Sequence, residues 1–230
     1  MHIYMQEIQS ERIAFVESCY KVFVSALREA NLEGIMTIQK IFPEEYSDAK
    51  IDEFSISSQC QLFATRSAAE NKLWKQKGSI LEIGVASGNH AVSLINATKA
   101  TSYCGIDMNF AQLSESSKKD LKELASFCTI ELIQKDSLNA LDELAENHYD
   151  SIYIDASHWH CYVAKELELC SKIMSIGGRI ILNDYLPWFV GSMEPCGVKR
   201  AVNEFLSRNP NWRIDYFAIN ECDISLVREI

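Results

Sequence analysis

From Ser79 onward, short runs of apolar and β-branched residues alternate with segments of helical periodicity. This alternation is typical of βαβ units, in which helices cover a parallel sheet. The sequence predicts seven strands, which are Ile80–Gly84, Ser102–Asp107, Thr129–Lys135, Ser151–Asp155, Gly178–Asn183, Trp212–Ala218 and Ile224–Arg228. Only residues 219–223 separate the last two strands, too few for a parallel crossover, so the last strand should be antiparallel. We therefore expect a doubly wound α/β fold with a seven-stranded, mostly parallel sheet.

The N-terminal part of the chain has a different pattern, which predicts helices ahead of the sheet. One apolar helix face is formed by residues spaced three and four apart, which are Ile13, Val16, Tyr20, Phe23 and Leu27. A second helix is predicted from Cys60 to Trp74. We divide the chain into a helical extension over residues 1–75 and an α/β domain over residues 76–230. The apolar face could cover a binding site, pair with a second subunit in a homodimer, or simply pack on the domain.

Composition and charge indicate which kinds of ligand and partner this protein is expected to bind. The formal net charge is -10, whereas binding of a nucleic-acid backbone needs a surface rich in Lys and Arg, so small molecules are the expected ligands. The eight cysteines include no CxxC pair, which disfavours a zinc site and suits a reducing compartment. No apolar stretch approaches the length of a membrane span, and the start carries Glu7 and Glu11. We expect a soluble, cytoplasmic protein without a nucleic-acid or membrane partner.

A glycine-containing loop follows the first predicted strand. Gly84 and Gly88 lie in this loop, and the chain then runs directly into a helix at about His90. Such a loop lets a ligand approach the backbone closely, although any tight turn between a strand and a helix uses glycine. The dinucleotide pattern GxGxxG is absent, because Ala86 stands where its second glycine would fall. The loop therefore predicts a ligand site and disfavours NAD.

Carboxylates end the next four predicted strands. Asp107 ends the second strand, 23 residues after Gly84, close to the offset of about 20 residues at which an acid accepts hydrogen bonds from ribose hydroxyls. Asp136, Asp155 and Asp184 end the third, fourth and fifth strands. Each acid alone is more often a solvated turn residue, but agreement at five strand ends is hard to attribute to turn chemistry. Because ligands of open α/β sheets bind at these ends, the sequence predicts a binding site there.

Five motifs occur in the order LEIGVASG, GIDMN, QKDSL, YIDASH and GGRIILNDY. Together they resemble the class I S-adenosylmethionine-dependent methyltransferases, over about Ile80 to Arg228. Within that family, YIDASHWH, LNDYLPWF and GVKRAVNEF are similar to the small-molecule O-methyltransferases of the catechol and macrocin/novobiocin sugar types. The resemblance implies a Rossmann-like methyltransferase fold, S-adenosylmethionine as cofactor, and methyl transfer to a small-molecule acceptor through a hydroxyl oxygen.

The resemblance also implies a donor site. The residues carried over to it are Glu82, Gly84, Gly88, Asp107, Asp136, Ser137 and Asp155. By resemblance, the two glycines flank the methionine part of the donor, Asp107 holds its ribose, and Asp136 with Ser137 borders its adenine.

A divalent metal is the second implication of the resemblance, because the related O-methyltransferases hold one with oxygen ligands. Asp155, Asn183 and Asp184 occupy the matching positions, and their oxygens suit Mg²⁺. The chain departs from both patterns: the catechol type has Asn directly after the second Asp, where Tyr185 stands here, and the sugar type pairs two acids. A metal-independent methyltransferase acting on nitrogen or oxygen therefore stays open.

His158 is the candidate general base. It lies three residues after Asp155, where the catechol type has a lysine, and histidine takes up a proton near neutral pH. His160 is a weaker alternative, and either histidine could instead cap a helix or bond a loop.

Aromatic side chains are predicted to wall the acceptor pocket. Trp159, Trp188 and Phe189 are candidates for that wall, with core packing as their alternative, and Tyr185 is a candidate acceptor contact. Two other functions share this sheet: an NAD-dependent oxidoreductase, and a non-catalytic nucleotide-binding protein. The oxidoreductase lacks its glycine pattern and any recognisable hydride-transfer residues in this sequence.

Overall fold

The computed structural model describes residues 56–186, 189 and 196–229. These residues belong to one compact unit, Asp48–Ile230. The described strands are β1 Ile56–Phe63, β2 Ser79–Ile83, β3 Ser102–Asp107, β4 Thr129–Gln134, β5 Tyr149–Ile154, β6 Met174–Leu182, β7 Trp212–Ala218 and β8 Asp223–Arg228. The described α-helices are α1 Arg66–Leu73, α2 Asn89–Thr98, α3 Glu115–Leu124, α4 Ser137–Leu141, α5 His160–Ile173 and α6 Val198–Arg208. None of these helices is long and apolar enough to cross a bilayer.

The strands form one mixed sheet in the order β1-β7-β8-β6-β5-β2-β3-β4. Strand β8 runs antiparallel to both of its neighbours, β6 and β7, and every other pairing is parallel. This confirms the predicted α/β fold, its mostly parallel sheet and its antiparallel last strand. Strands β2 and β5 are neighbours in the sheet. After β2 the next strands, β3 and β4, are added on one side, whereas after β5 the next strand, β6, is added on the other. Ligands of such sheets bind at this switch point, beyond the carboxyl ends of the strands.

Strand β1 corrects the prediction of a single helix from Cys60 to Trp74. The chain is extended over Ile56–Phe63 and pairs in parallel with β7, and the helix begins only at Arg66. Thr65 supplies the helix cap, since its side chain accepts a hydrogen bond from the amide of Ala68 at 3.3 Å. The described sheet therefore has eight strands where seven were predicted.

Residues 1–55 lie outside the described part of the chain. The predicted apolar helix face from Ile13 to Leu27 falls within them, as does most of the proposed helical extension. The domain boundary after residue 75 and the homodimer therefore stay predictions.

Helices cover both faces of the sheet, and strand residues alternate between two buried clusters. On β5, Ile152 packs in one cluster and Tyr153 in the other. On β6, Ile180 and Ile181 divide in the same way. The central strands are buried on both faces, which explains why they appear in the sequence as nearly continuous apolar runs. This packing fixes the strand ends that carry the candidate site.

Candidate active site

A cavity of about 310 Å³ lies at the carboxyl ends of β2, β3, β4 and β5. Its lining consists of Ile83, Gly84, Ala86, Ile106, Asp107, Met108, Lys135, Asp136, Ser137, Asp155, Ala156, Ser157 and Tyr162. Five predicted donor-site residues are thereby brought together: Gly84, Asp107, Asp136, Ser137 and Asp155. The cavity adjoins the β2–β5 switch point, where the topology favours a ligand.

Gly84 and Gly88 are needed in the loop for close approach of other chain segments. A Cβ atom on Gly84 would lie 1.9 Å from the carbonyl oxygen of Asp155, and its φ of +90° is in the left-handed region. A Cβ atom on Gly88 would lie 2.4 Å from Leu113 Cδ1. Gly84 therefore allows the ends of β2 and β5 to meet at the cavity, whereas Gly88 packs the loop against the chain before α3.

The carboxylate of Asp107 fixes the glycine loop to the end of β3. Its Oδ2 atom accepts hydrogen bonds from the amides of Val85 and Ala86, both at 2.9 Å. Its Oδ1 atom accepts from the amide of Asn109 at 2.9 Å. Two carboxylate oxygens offer about four acceptor positions, so capacity is left for a ligand hydroxyl.

Glu82 lies beneath the loop in a buried polar network and is not among the residues that line the cavity. Its carboxylate accepts a hydrogen bond from the hydroxyl of Tyr103, and Oε1 lies 2.7 Å from His90 Nδ1. The other ring nitrogen of His90 lies 2.8 Å from Glu70 Oε1. Donor binding by Glu82 stays a prediction, and the described contacts give it a positioning role: it anchors the start of α2 below the loop.

His90 carries the positive charge of this network. Burial lowers its pKa, but the two carboxylates outweigh burial and raise the pKa to about 9. His90 is therefore protonated at neutral pH and neutralises part of the buried charge of Glu70 and Glu82.

This raised pKa predicts a pH dependence of stability. Because the folded pKa of His90 lies above its ordinary value of 6.5, its contribution is fully present below about pH 6.5 and is lost as pH rises through about 9. In urea unfolding, the wild-type chain should have a larger free energy of unfolding than His90→Gln at low pH. We expect this difference to shrink as pH rises through this window. A difference between the two proteins that stays constant with pH would contradict the assignment.

Asp155, His158 and Asp184 form a second cluster at the ends of β5 and β6. His158 Nε2 lies 3.6 Å from Asp155 Oδ1 and 3.4 Å from Asp184 Oδ2. These distances are those of ion pairs, longer than well-formed hydrogen bonds. Phe189 packs edge-to-face on the His158 ring, with ring centroids 5.0 Å apart. The cluster adjoins the cavity through Asp155, which belongs to both.

Burial and charge act in opposite directions on the titration of this cluster. Burial lowers the pKa of His158, but the carboxylates of Asp184 and Asp155 reverse this and leave it above its ordinary value. Burial raises the pKa of Asp155, and the charge of Asp184 adds to that shift, while His158 and Arg66 oppose it. The arrangement therefore stabilises a protonated imidazole between two carboxylates.

Residues 81–185 contain most of β2, the cavity lining and the Asp155, His158 and Asp184 cluster. They match the family model described as a methyltransferase domain. Over this segment, which is less than half of the chain, the sequence is similar to that family. No curated protein matches the sequence significantly.

Solved structures share the fold of this chain. The SAH-bound Podospora anserina methyltransferase PaMTH1 is 19% identical with a TM-score of 0.52, and the match covers 71% of this chain and 75% of that one. A putative rRNA-methylase from Clostridium thermocellum is 15% identical with a TM-score of 0.55, covering 71% and 93%. PH0851 is 13% identical with a TM-score of 0.54, and the chain spans only 45% of its length. These likenesses show the fold, and the family model supports a methyltransferase domain over residues 81–185.

Asn183 follows β6 and precedes Asp184, and its predicted metal role stays a prediction. Its side-chain amide donates to the carbonyl oxygen of Glu221 at 2.9 Å and to Asp223 Oδ1 at 3.0 Å. These contacts tie β6 to the start of β8. His158, which the sequence predicted as a base and not as a ligand, lies with Asp155 and Asp184 in a group that could hold a metal ion.

The other predicted acceptor-side residues lie in different surroundings. The hydroxyl of Tyr185 donates to Asn203 Oδ1 at 2.6 Å, and His160 Nε2 lies 3.0 Å from Glu204 Oε2, so both side chains bind α6. Trp159 is partly exposed at the start of α5. Trp188 lies outside the described residues. Phe189 lies beside the cluster, through its contact with His158.

Arg66 forms an ion pair with a buried acid near the site, which the sequence did not predict. Its guanidinium pairs with Asp223 at 2.7 Å and lies 4.7 Å from the centroid of the Tyr153 ring. The two charged residues are 157 positions apart, so no local pattern could reveal the pair. Because Asp223 also binds Asn183, Arg66 connects α1 to the strand ends of the site.

Proposed function

We propose that the protein is an S-adenosylmethionine-dependent methyltransferase that methylates a hydroxyl group of a small molecule, with His158 as general base. The observation that carries this proposal is that the cavity and the Asp155, His158 and Asp184 cluster adjoin each other at Asp155. The cavity with Asp107 and Asp136 in its wall suits a nucleoside, and the cluster at Asp155 places an imidazole between carboxylates beside it. The net charge of -10 supports a small-molecule acceptor over a nucleic acid.

The donor is placed in this proposal by the lining of the cavity. Its methionine part lies on the loop at Gly84, its ribose hydroxyls donate to Asp107, and its adenine lies between β4 and α4 beside Asp136 and Ser137. Asp155, which lines the same cavity, would then lie at the methionine end of the donor. The SAH-bound neighbour with the same fold supports the choice of ligand.

Loss of Asp107 is expected to weaken donor binding. Asp107→Ala removes the ribose acceptor and the three hydrogen bonds that hold the glycine loop. Charge-assisted hydrogen bonds are worth enough for an increase of about 10- to 100-fold in the Kd of S-adenosylhomocysteine. Asp142, an exposed acid at the end of α4, gives the matched control Asp142→Ala. Equal affinities of the two variants, measured by calorimetry, would remove Asp107 from the donor site.

The chemical step needs positioning and one proton transfer. The sulfonium already activates the methyl group, so the acceptor oxygen must be electron-rich and in line with the carbon–sulfur bond. His158 Nε2 takes the hydroxyl proton, the oxygen forms the new bond to carbon, and the bond to sulfur breaks to release S-adenosylhomocysteine. Asp155 and Asp184 stabilise the imidazolium that forms, at 3.6 and 3.4 Å.

A metal-assisted form of the same reaction is the second candidate, because one ligand atom from each of Asp155, His158 and Asp184 lies within 4.8 Å of the others. Two carboxylates and an imidazole fit a divalent cation, and the nitrogen favours a first-row transition metal over Mg²⁺. Such an ion would supply Lewis acidity that lowers the pKa of the acceptor hydroxyl. His158 would then be a ligand and could not be the base. Turnover lost on chelation and restored by Mn²⁺ would favour this form, whereas turnover insensitive to chelators favours His158 as base.

The test of the proposed function is transfer of label from S-adenosyl-[methyl-³H]methionine to a panel of catechols, hydroxylated sugars and nucleotide sugars. We expect labelled product from a hydroxylated acceptor. A chain that binds S-adenosylhomocysteine but labels no acceptor in the panel would instead favour a non-catalytic binding protein.

A further inference from the structure

Glu166 is a buried carboxyl behind the wall of the cavity, and the donor site described above does not use it. It lies on α5 with 0% of its surface exposed. Its Oε1 atom accepts a hydrogen bond from the hydroxyl of Ser137 at 2.6 Å, and Ser137 lines the cavity. Its Oε2 atom is buried and has no hydrogen-bond partner among the described residues.

A buried carboxyl with one unpaired oxygen is costly, so its place beside the cavity wall needs an explanation. Burial raises the pKa of Glu166 to about 7, the hydrogen bond from Ser137 opposes the shift, and the charge of Asp136 adds to it. The ionised carboxylate has no hydrogen to donate, so its Oε1 atom accepts from the Ser137 hydroxyl.

The direction of this hydrogen bond limits what Ser137 can offer a ligand. A serine hydroxyl has one hydrogen and two acceptor lone pairs. Because the hydrogen is given to Glu166, the hydroxyl can only accept a hydrogen bond from a group in the cavity. An exocyclic amino group of a purine can donate such a bond, whereas a 6-oxo group cannot.

We propose that Glu166 is a positioning residue that sets the base specificity of the donor site, by holding Ser137 as a hydrogen-bond acceptor for the 6-amino group of adenine. This inference rests on the proposed function, which places the donor's adenine beside Ser137. Glu166 itself touches Ser137 and acts only through it.

The experiment compares the Kd values of S-adenosylhomocysteine and of its 6-oxo analogue S-inosylhomocysteine by calorimetry. Their ratio is the readout, because a general loss of structure would weaken both ligands and leave the ratio unchanged. We expect the wild-type chain to prefer the amino compound by about 5- to 150-fold, the range for one buried polar group left unpaired. Glu166→Leu frees the Ser137 hydroxyl to donate, so the ratio should fall close to one.

Three further variants keep the test decisive. Ser137→Ala should lose the preference, and Ser137→Thr, which keeps the hydroxyl, should retain it, so this pair decides the matter if Glu166→Leu does not fold. Glu168→Leu is the matched control on the same helix, since Glu168 is half exposed and pairs with Lys165 at 3.1 Å. It should leave the ratio unchanged.

The outcomes separate this inference from the proposed function. A wild-type chain that binds neither compound overturns both. A wild-type chain that prefers the amino compound, with the ratio unchanged in Ser137→Ala or in folded Glu166→Leu, overturns the inference alone. The amine would then be recognised by another group of the wall, such as Asp136.

Discussion

Replacing His158 with alanine is expected to lower the turnover number by about 10²- to 10⁴-fold, the usual contribution of a positioned general base. The variant keeps the cavity lining that the donor is proposed to contact, since His158 is not part of that lining. We therefore expect the Kd of S-adenosylhomocysteine to stay within about twofold of the wild-type value. Initial-rate kinetics and calorimetry on the same preparation measure the two effects.

His148→Ala is the matched control for this variant. His148 is exposed and precedes β5, at the opposite end of the strand from the cluster. Its loss should change neither turnover nor donor binding. Wild-type turnover in His158→Ala would remove the imidazole from the mechanism and with it both forms of the proposed reaction at this cluster.

The largest expected effect on stability comes from His90→Ala, which leaves two buried carboxylates without their shared cation. Glu70 and Glu82 are each 1% exposed, and each lies within 2.8 Å of a His90 ring nitrogen. Removing one partner from a buried ionic network costs about 3–5 kcal/mol, because the remaining charges stay buried and unpaired. Urea unfolding followed by circular dichroism measures the loss.

A second substitution tests the electrostatic origin of that loss. Glu70→Gln in the His90→Ala background removes one of the two unpaired charges and should recover part of the lost stability. The exposed His148→Ala serves as control here too, with an expected change of less than about 0.5 kcal/mol. If His90→Ala cost no more than this control, the network would contribute nothing measurable, and the pH dependence assigned to His90 would also be wrong.

The strand pattern was predictable because each central strand is buried on both faces and therefore appears as a short apolar run. Ile80–Ile83 and Ile152–Ile154 are examples, and both lie in the buried core. Strand β1 was not predictable in this way, because its sequence ISSQCQLF mixes polar and apolar residues. It lies at the edge of the sheet, where only part of each side chain is covered. An edge strand gains its structure from pairing with β7, which lies far along the chain.

The positions of the site residues were more predictable than the directions of their side chains. Strand ends place Asp107, Asp136 and Asp155 at the same edge of the sheet, as the order of motifs indicated. The amide of Asn183 turns towards Glu221 and Asp223 because those partners are supplied by the turn into β8. Such contacts depend on segments distant in sequence, and no spacing rule contains them.

Groups that act through another residue were missed for the same reason. His90 was noted only as the start of a helix, yet its partners come from α1 and β2. The role of Glu166 could not be predicted from its position on α5, because its partner Ser137 is supplied by α4. Local patterns therefore indicated where ligands bind, and tertiary contacts determine how those positions are held.

We propose that the cavity binds the nucleoside of S-adenosylmethionine. Calorimetric titration of the purified chain with S-adenosylhomocysteine tests it most directly, with Asp107→Ala titrated in parallel. We expect binding at a single site with a micromolar Kd, weakened in the variant. Absence of binding to the folded wild-type chain, with the chelator present or with Mn²⁺ added, would contradict the methyltransferase function and leave only the fold.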